Sequence, residues 1–152
     1  MPSITCIDKF QPALQKKKRV KIFVGGRGST KTTFVADNCL AQTTQGKIWC
    51  CSREYLNSIN DSVHRTLLDE TERCNFEDFY EKNNQYHHPS GGRAFYKGLA
   101  RNIESLKGML SGVDVLWIEE GETVTDETLR VLTASLRVSA KDAQRVLDGE
   151  IT

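Results

Sequence analysis

The chain has 152 residues, a length that suits one domain around one core. Its 21 Lys and Arg nearly balance its 20 Asp and Glu, so no global basic field marks it for nucleic acid and none argues against it. The five cysteines form no C-x-x-C pair and the three histidines are not at zinc spacing from them; the odd cysteine count and the lack of a signal peptide predict a reducing compartment, and no apolar run approaches a membrane span.

In chain order, the first feature is the basic run Lys16 to Lys21, "KKKRVK". It reads as the solvated entry to a strand, with a DNA-backbone contact or a targeting signal as the alternatives. "RVKIFVGG" (19–26) is β-rich and ends in glycines, which predicts a strand. "STKTTFVADNCLAQTTQG" (29–46) follows with a helical stripe of Phe34, Val35, Ala36, Cys39 and Leu40, and Gly46 as its stop. "KIWCCS" (47–52) predicts a second, buried strand, with Trp49 in the core and Cys50 and Cys51 as small core residues. Leu56, Ile59, Val63 and Leu67 recur at helical spacing, so residues 54–73 predict a helix.

Residues 83–98 hold a turn, with His87 and His88 read as surface residues beside Pro89, and then a short strand, "RAFYK". "NIESLKG" (102–108) predicts a short helix. "VDVLWIEE" (113–120) is the clearest strand in the chain, five apolar side chains running into two carboxylates, with Trp117 as core rather than as a stacking platform. "TDETLRVLTASLR" (125–137) predicts a helix capped by Thr125 with Leu129, Leu132 and Leu136 inward. "SAKDAQRVLDG" (139–149) predicts one more, with Ser139 and Asp142 at its start and Gly149 as its stop, and only "EIT" remains. Strands alternating with helices imply an α/β fold with a largely parallel sheet, and apolar runs without alternation fit strands covered on both faces.

The chemistry concentrates in "GGRGSTKT", residues 25–32, between a predicted strand and a predicted helix. The pattern G-x-x-x-x-G-K-[ST] is met except that Thr30 stands where the second Gly belongs. Gly25, Gly26 and Gly28 let the backbone approach a phosphate, and the following helix aims its N-terminal N–H groups at the same point. Ser29 and Thr30 complete the loop. Lys31 would reach the β- and γ-phosphates of a triphosphate, and Thr32 would place its hydroxyl on Mg²⁺. If the Thr30 slot requires positive φ, a β-branched residue there costs roughly 1–2 kcal/mol. If the slot needs only a small side chain, the cost is smaller. The alternative to a phosphate loop as a whole is a Gly-rich turn between a strand and a helix.

A nucleotide hydrolase also needs acids at the end of another strand, and Glu119 and Glu120 stand there. The expected division gives Glu119 the metal and its waters and Glu120 the attacking water, with the two roles exchangeable. Arg27 has three readings: neutralising charge on the γ-phosphate, pairing with an acid of a neighbouring subunit, or an exposed loop arginine. Arg53, after the second strand, helps hold the site together.

With these residues placed, the sequence resembles the N-terminal ATPase region of the tailed-bacteriophage terminase large subunit. "GGRGSTKT" resembles the Arg-containing phosphate loop of that family, usually GGRGSGKS, in which Ala or Thr also occurs at the Thr30 slot. "CSREYLNSINDSVHRTLLDETER" resembles the segment after the second strand, with Arg53, Asp61 and Ser62. "YKGLARNIESLKGMLSGVDVLWIEEGETVT" and "LTASLR" resemble the acidic strand with its approach and the helix beyond.

The resemblance implies a RecA-like P-loop NTPase over residues 1–152 that binds ATP and Mg²⁺ through residues 25–32. It implies Glu119 as the metal-site acid, Glu120 as the catalytic one and Arg27 as the loop arginine. It also implies the packaging partners: double-stranded DNA, the portal protein of the procapsid, a small terminase subunit and other copies of the chain in a ring, all in the host bacterial cytoplasm. A further strand that couples hydrolysis to movement, inserted between the phosphate-loop strand and the acidic strand, and a C-terminal nuclease domain are expected to be missing. The reading is therefore a C-terminally truncated ATPase domain whose two neighbouring strands either pair directly or leave exposed edges, with nucleotide binding surviving better than turnover.

Overall fold

The computed structural model describes residues 2–4, 8–55, 60–100, 105, 107–108 and 110–135. A 3₁₀ turn, Asp8–Phe10, leads into the short helix α1 (Gln11–Gln15). The loop at 25–30 opens into α2 (Lys31–Thr43), and β1 (Ile48–Arg53) follows. A π-helical turn, Asn60–His64, runs into α3 (Arg65–Arg73). Then come β2 (Tyr80–Lys82), β3 (Gln85–His87), β4 (Arg93–Gly98) and β5 (Val115–Ile118). A 3₁₀ turn, Gly121–Thr123, precedes α4 (Asp126–Ser135).

The five strands form one mixed sheet in the order β2-β3-β4-β1-β5. β1 lies at its heart, parallel to β4 through Ile48↔Arg93 and Cys51↔Tyr96 and parallel to β5 through Trp49↔Val115 and Ser52↔Ile118. β3 is antiparallel to both β2 and β4. Pleating sends neighbouring residues to opposite faces, and both faces are covered. Trp49, Cys51, Ala94, Tyr96 and Trp117 pack with Ala36, Cys39 and Leu40 of α2 and Leu67 of α3. Cys50 and Phe95 pack on the other side with Leu110, Val113 and Leu132 of α4. The adjacent Cys50 and Cys51 thus belong to two different cores, which explains a strand sequence without polar alternation.

The helix predicted over 29–46 is present as α2, and beyond its end Gly46 takes φ +86. The capped helix is present as α4, with the Thr125 hydroxyl accepting from the Thr128 N–H at 3.2 Å. Leu132 is buried as expected, whereas Leu129 stands exposed.

Several expectations change. Residues 19–26 form no strand: Val20, Ile22 (82 % exposed) and Val24 (93 % exposed) face outward, and no described strand lies beside them. Of the two expected outcomes for this segment and β5, direct pairing is not found among the described residues. A β-branched run becomes a strand only against a neighbour that supplies its ladder.

The helix expected over 54–73 is divided, with Glu54 and Tyr55 in a bend and the regular α-helix beginning at Arg65. The turn region carries an extra hairpin, β2–β3, closed by Asn83 and Asn84, both at φ 54. His87 and His88 are half-buried, not surface residues: the His87 ring stacks on Tyr80 and the His88 ring meets Phe79. Cys6, Leu56, Ile59, Leu136, the helix expected over 139–149 and "EIT" lie outside the described residues, as does most of 102–108.

Candidate functional site

Parallel strands β1, β4 and β5 end together, Arg53 opposite Gly98 and Ser52 opposite Ile118. The N-terminus of α2 and the carboxylates after β5 meet at this end, where open α/β sheets place their ligand sites. The Glu119 N–H donates to the Ser52 carbonyl at 2.9 Å, which carries the β5 ladder one residue further and fixes where the acid begins.

Thr30 has φ 61 and ψ 13, so the left-handed conformation expected of a glycine in that slot is adopted by a β-branched residue. Its hydroxyl donates to the Ser29 carbonyl at 2.7 Å and does not cap the helix. α2 therefore starts with its first amides uncapped by any side chain and with no acid in its first turn, an arrangement that favours an anion.

Lys9, which sequence reasoning passed over, donates to the same Ser29 carbonyl at 2.9 Å. Its neighbour Phe10 stacks on Phe34 of α2 and meets Phe23 edge-on, so the N-terminal turn, residues 19–26 and α2 share one aromatic cluster.

Around the loop, Lys31 turns its ammonium onto the carbonyls of Gly25 (2.8 Å) and Gly26 (3.4 Å). The Ser29 hydroxyl oxygen is buried and has no partner among the described residues. Space is open around Gly26 and Gly28, where an added Cβ would meet nothing within 4 Å. Arg27 is exposed at the loop and bonds to none of the described residues.

Across the site, the Thr32 hydroxyl donates to Glu119 Oε1 at 2.7 Å, joining the first turn of α2 to the end of β5. Glu119 Oε2 accepts from the Trp117 indole N–H at 3.1 Å. Glu120 sits in the left-handed region at φ 54, ψ 48, which turns the chain into the 3₁₀ turn and directs its carboxylate to an ion pair with Arg53. Arg53 also donates to the Ser62 hydroxyl at 3.3 Å, from the π-helical turn; the Asp61 side chain lies outside the described part.

The residues singled out in the sequence are thus brought to one place: loop 25–32, Glu119, Glu120 and Arg53. The role of Ser62 and the indole contact escaped, although the i, i+2 spacing of Trp117 and Glu119 already put them on one strand face.

The donor set fits a nucleotide with its cation. An ammonium now resting on carbonyls and an orphaned buried hydroxyl offer donors to phosphate oxygens. A hydroxyl and a carboxylate at 2.7 Å offer the hard oxygen ligands that Mg²⁺ takes.

A family model described as phage terminase large subunit matches residues 17–147, a span that contains the loop, Arg53 and both carboxylates. The chain belongs to the phage terminase large subunit family. No curated protein matches it. Membership gives this terminase chain a role in phage DNA packaging, within a family that is in general ATP-dependent. Among the described residues, no helix is long and apolar enough to cross a membrane.

Proposed function

We propose that this chain is the ATP-binding and hydrolysing part of a DNA-packaging motor, a P-loop NTPase of RecA-like type. The single observation that carries the reading is the Thr32–Glu119 hydrogen bond at 2.7 Å, between a loop threonine and a strand-end acid from distant parts of the chain.

In this reading, residues 25–30 wrap the phosphates with backbone N–H groups, and Lys31 leaves the Gly25 and Gly26 carbonyls for the β- and γ-phosphates. Thr32 and Glu119 hold Mg²⁺, which when bound neutralises charge on the phosphate oxygens. Glu120 orients the attacking water once its carboxylate exchanges Arg53 for that water, and Arg27 is free to meet charge on the γ-phosphate or an acid of a neighbouring copy. Double-stranded DNA, a portal, a small terminase subunit and a ring of copies, working in the host cytoplasm, complete the proposal.

A second reading, nucleotide binding without productive turnover, is favoured by two observations: Glu120 is engaged by Arg53, and Ile22 and Val24 lie exposed beside no described strand. DNA-stimulated hydrolysis separates the two.

The first test is thermal unfolding with and without Mg·ATP, alongside Lys31→Ala. A ligand at a hundredfold its Kd adds about 2.7 kcal/mol to the folded state, or about 5–10 °C for a chain of this size. A shift in the parent that vanishes in Lys31→Ala supports the site. A folded parent with no shift removes it, and Thr30→Gly then tests whether the loop residue is responsible.

A further inference from the structure

We propose that Trp117 is a positioning residue for the cation that accompanies the nucleotide, acting through Glu119; this rests on the nucleotide reading of the site. A carboxylate can bind a cation through either oxygen and can rotate about its last bond, so its usefulness depends on what fixes its plane. Here both oxygens are engaged by different kinds of donor. Oε1 accepts from the Thr32 hydroxyl at 2.7 Å and Oε2 from the Trp117 indole at 3.1 Å. The hydroxyl rotates and also accepts, so it can yield to a metal. The indole N–H donates only, on a ring that is 6 % exposed and packed in the core cluster shared with α2. Its direction is therefore set by packing. It holds Oε2 on the β5 side and leaves Oε1 facing Thr32 and the loop.

The other tryptophan supplies the comparison. Trp49, on β1 in the same core cluster and 4 % exposed, has a buried indole nitrogen with no partner among the described residues. The fold thus tolerates an unsatisfied indole on this face, and core filling alone does not call for an N–H aimed at Glu119. Trp117 on β5 and Glu119 just past its end, where the Ser52 carbonyl carries the ladder one residue further, stand two residues apart and so share one face by pleating, which makes the contact a product of the strand and its extension.

The test separates this proposal from the site reading. In the chain labelled with ¹⁵N-tryptophan, the two tryptophans give two indole signals, and Trp49→Phe identifies that of Trp117. Without any ligand, Glu119→Ala is expected to move the Trp117 signal and Glu120→Ala to leave it in place. With ADP present, adding Mg²⁺ is expected to move it again. Trp117→Phe keeps a ring and removes the donor. It is expected to raise the Mg²⁺ concentration for half-saturation at fixed ADP roughly tenfold, as for loss of a hydrogen bond to a charged group. ADP affinity in EDTA should stay within about twofold.

A Trp117 signal indifferent to Glu119→Ala overturns the proposal, and so does a Trp117→Phe chain with the parent's Mg²⁺ requirement. Should Trp117→Phe not fold, the indole signal on the intact ring decides. A parent that binds no ADP in EDTA sinks the nucleotide reading instead, an outcome the ligand-free indole comparison keeps distinct.

Discussion

Thr30 carries the clearest local strain near the loop. Its φ of 61 puts a β-branched side chain in a region where the Cβ crowds the following carbonyl, at about 1–2 kcal/mol. Glycine there relieves the crowding but adds freedom to the unfolded chain, which returns roughly 0.5–1 kcal/mol. Thr30→Gly is therefore expected to stabilise the ligand-free chain by about 1 kcal/mol, a rise in Tm of about 2–4 °C. A lower Tm would mean that the Thr30 hydroxyl on the Ser29 carbonyl outweighs the strain.

Asp37 is a buried acid in the body of α2. It lies against Glu70, Arg73 and Cys74, and the Arg73 guanidinium bridges the two carboxylates. Burial first, then the hydrogen bond and charge of Glu70, push its carboxyl up from 3.8 to about 6, while Arg73 and Cys74 pull the other way. A raised folded value means that the folded state binds the proton more tightly. The contribution is full below the unfolded value and is lost as pH rises through about 6. At 1.36 kcal/mol per pKa unit the loss is at most about 3 kcal/mol. Asp37→Asn should gain stability relative to the parent between pH 4 and pH 7, read as a growing difference in urea midpoint. A difference that shrinks across that window would contradict the assignment.

Among the elements, the approach of α2 to β4 sets the tightest requirement. Gly92, just before β4, passes so close to the end of α2 that an added Cβ would stand 2.0 Å from the Thr43 carbonyl oxygen. Both sides of that contact are backbone, so neither can swing away. Gly92→Ala is expected to cost about 2–3 kcal/mol, the scale of overpacking in a well-packed interior, and to lower Tm by several degrees, whereas Gly108→Ala should cost less because space is open there and the backbone is not in the positive-φ region.

This contact was not legible in the sequence, because it depends on where two separate segments meet. What was legible was local. β5 read as a strand because Val115 to Ile118 is apolar throughout and runs into acids, and α4 because Thr125 caps it. The loop stood out by its own letters, whereas the conformation of Thr30 was open between two alternatives and the structure adopts the positive-φ one. The ion pair between Arg53 and Glu120 and the indole contact to Glu119 needed the sheet register before either partner could be named. Residues 19–26 misled for the opposite reason: their β-rich composition describes what the segment can do beside a partner strand, and no described strand is beside it.

In the molecule as a whole, the exposed β-branched run at 19–26 lies beside no described strand. β5 ends the sheet order on one side, with β1 along one edge and no described strand along the other. Val20, Ile22 and Val24 stand exposed in the segment leading into the loop that precedes Thr32, itself bonded to Glu119 at the end of β5. An unpaired strand edge and exposed β-branched side chains are both templates for pairing with another chain. The isolated chain is therefore expected to self-associate at micromolar concentration, with a light-scattering signal that grows with protein concentration. Ile22→Lys with Val24→Lys places two charges on outward-facing positions and should suppress that signal. Because the two side chains are 82 % and 93 % exposed, the double substitution should leave folding stability within about 0.5 kcal/mol per site. The two readouts discriminate between causes. Lower scattering at unchanged Tm places the contact on residues 20–24. Unchanged scattering at unchanged Tm moves it to β5, where Val115→Lys at the partly buried edge would be tested next. A large fall in Tm would show that Ile22 and Val24 are packed in the folded chain, and the exposed-edge account of residues 19–26 would have to be given up.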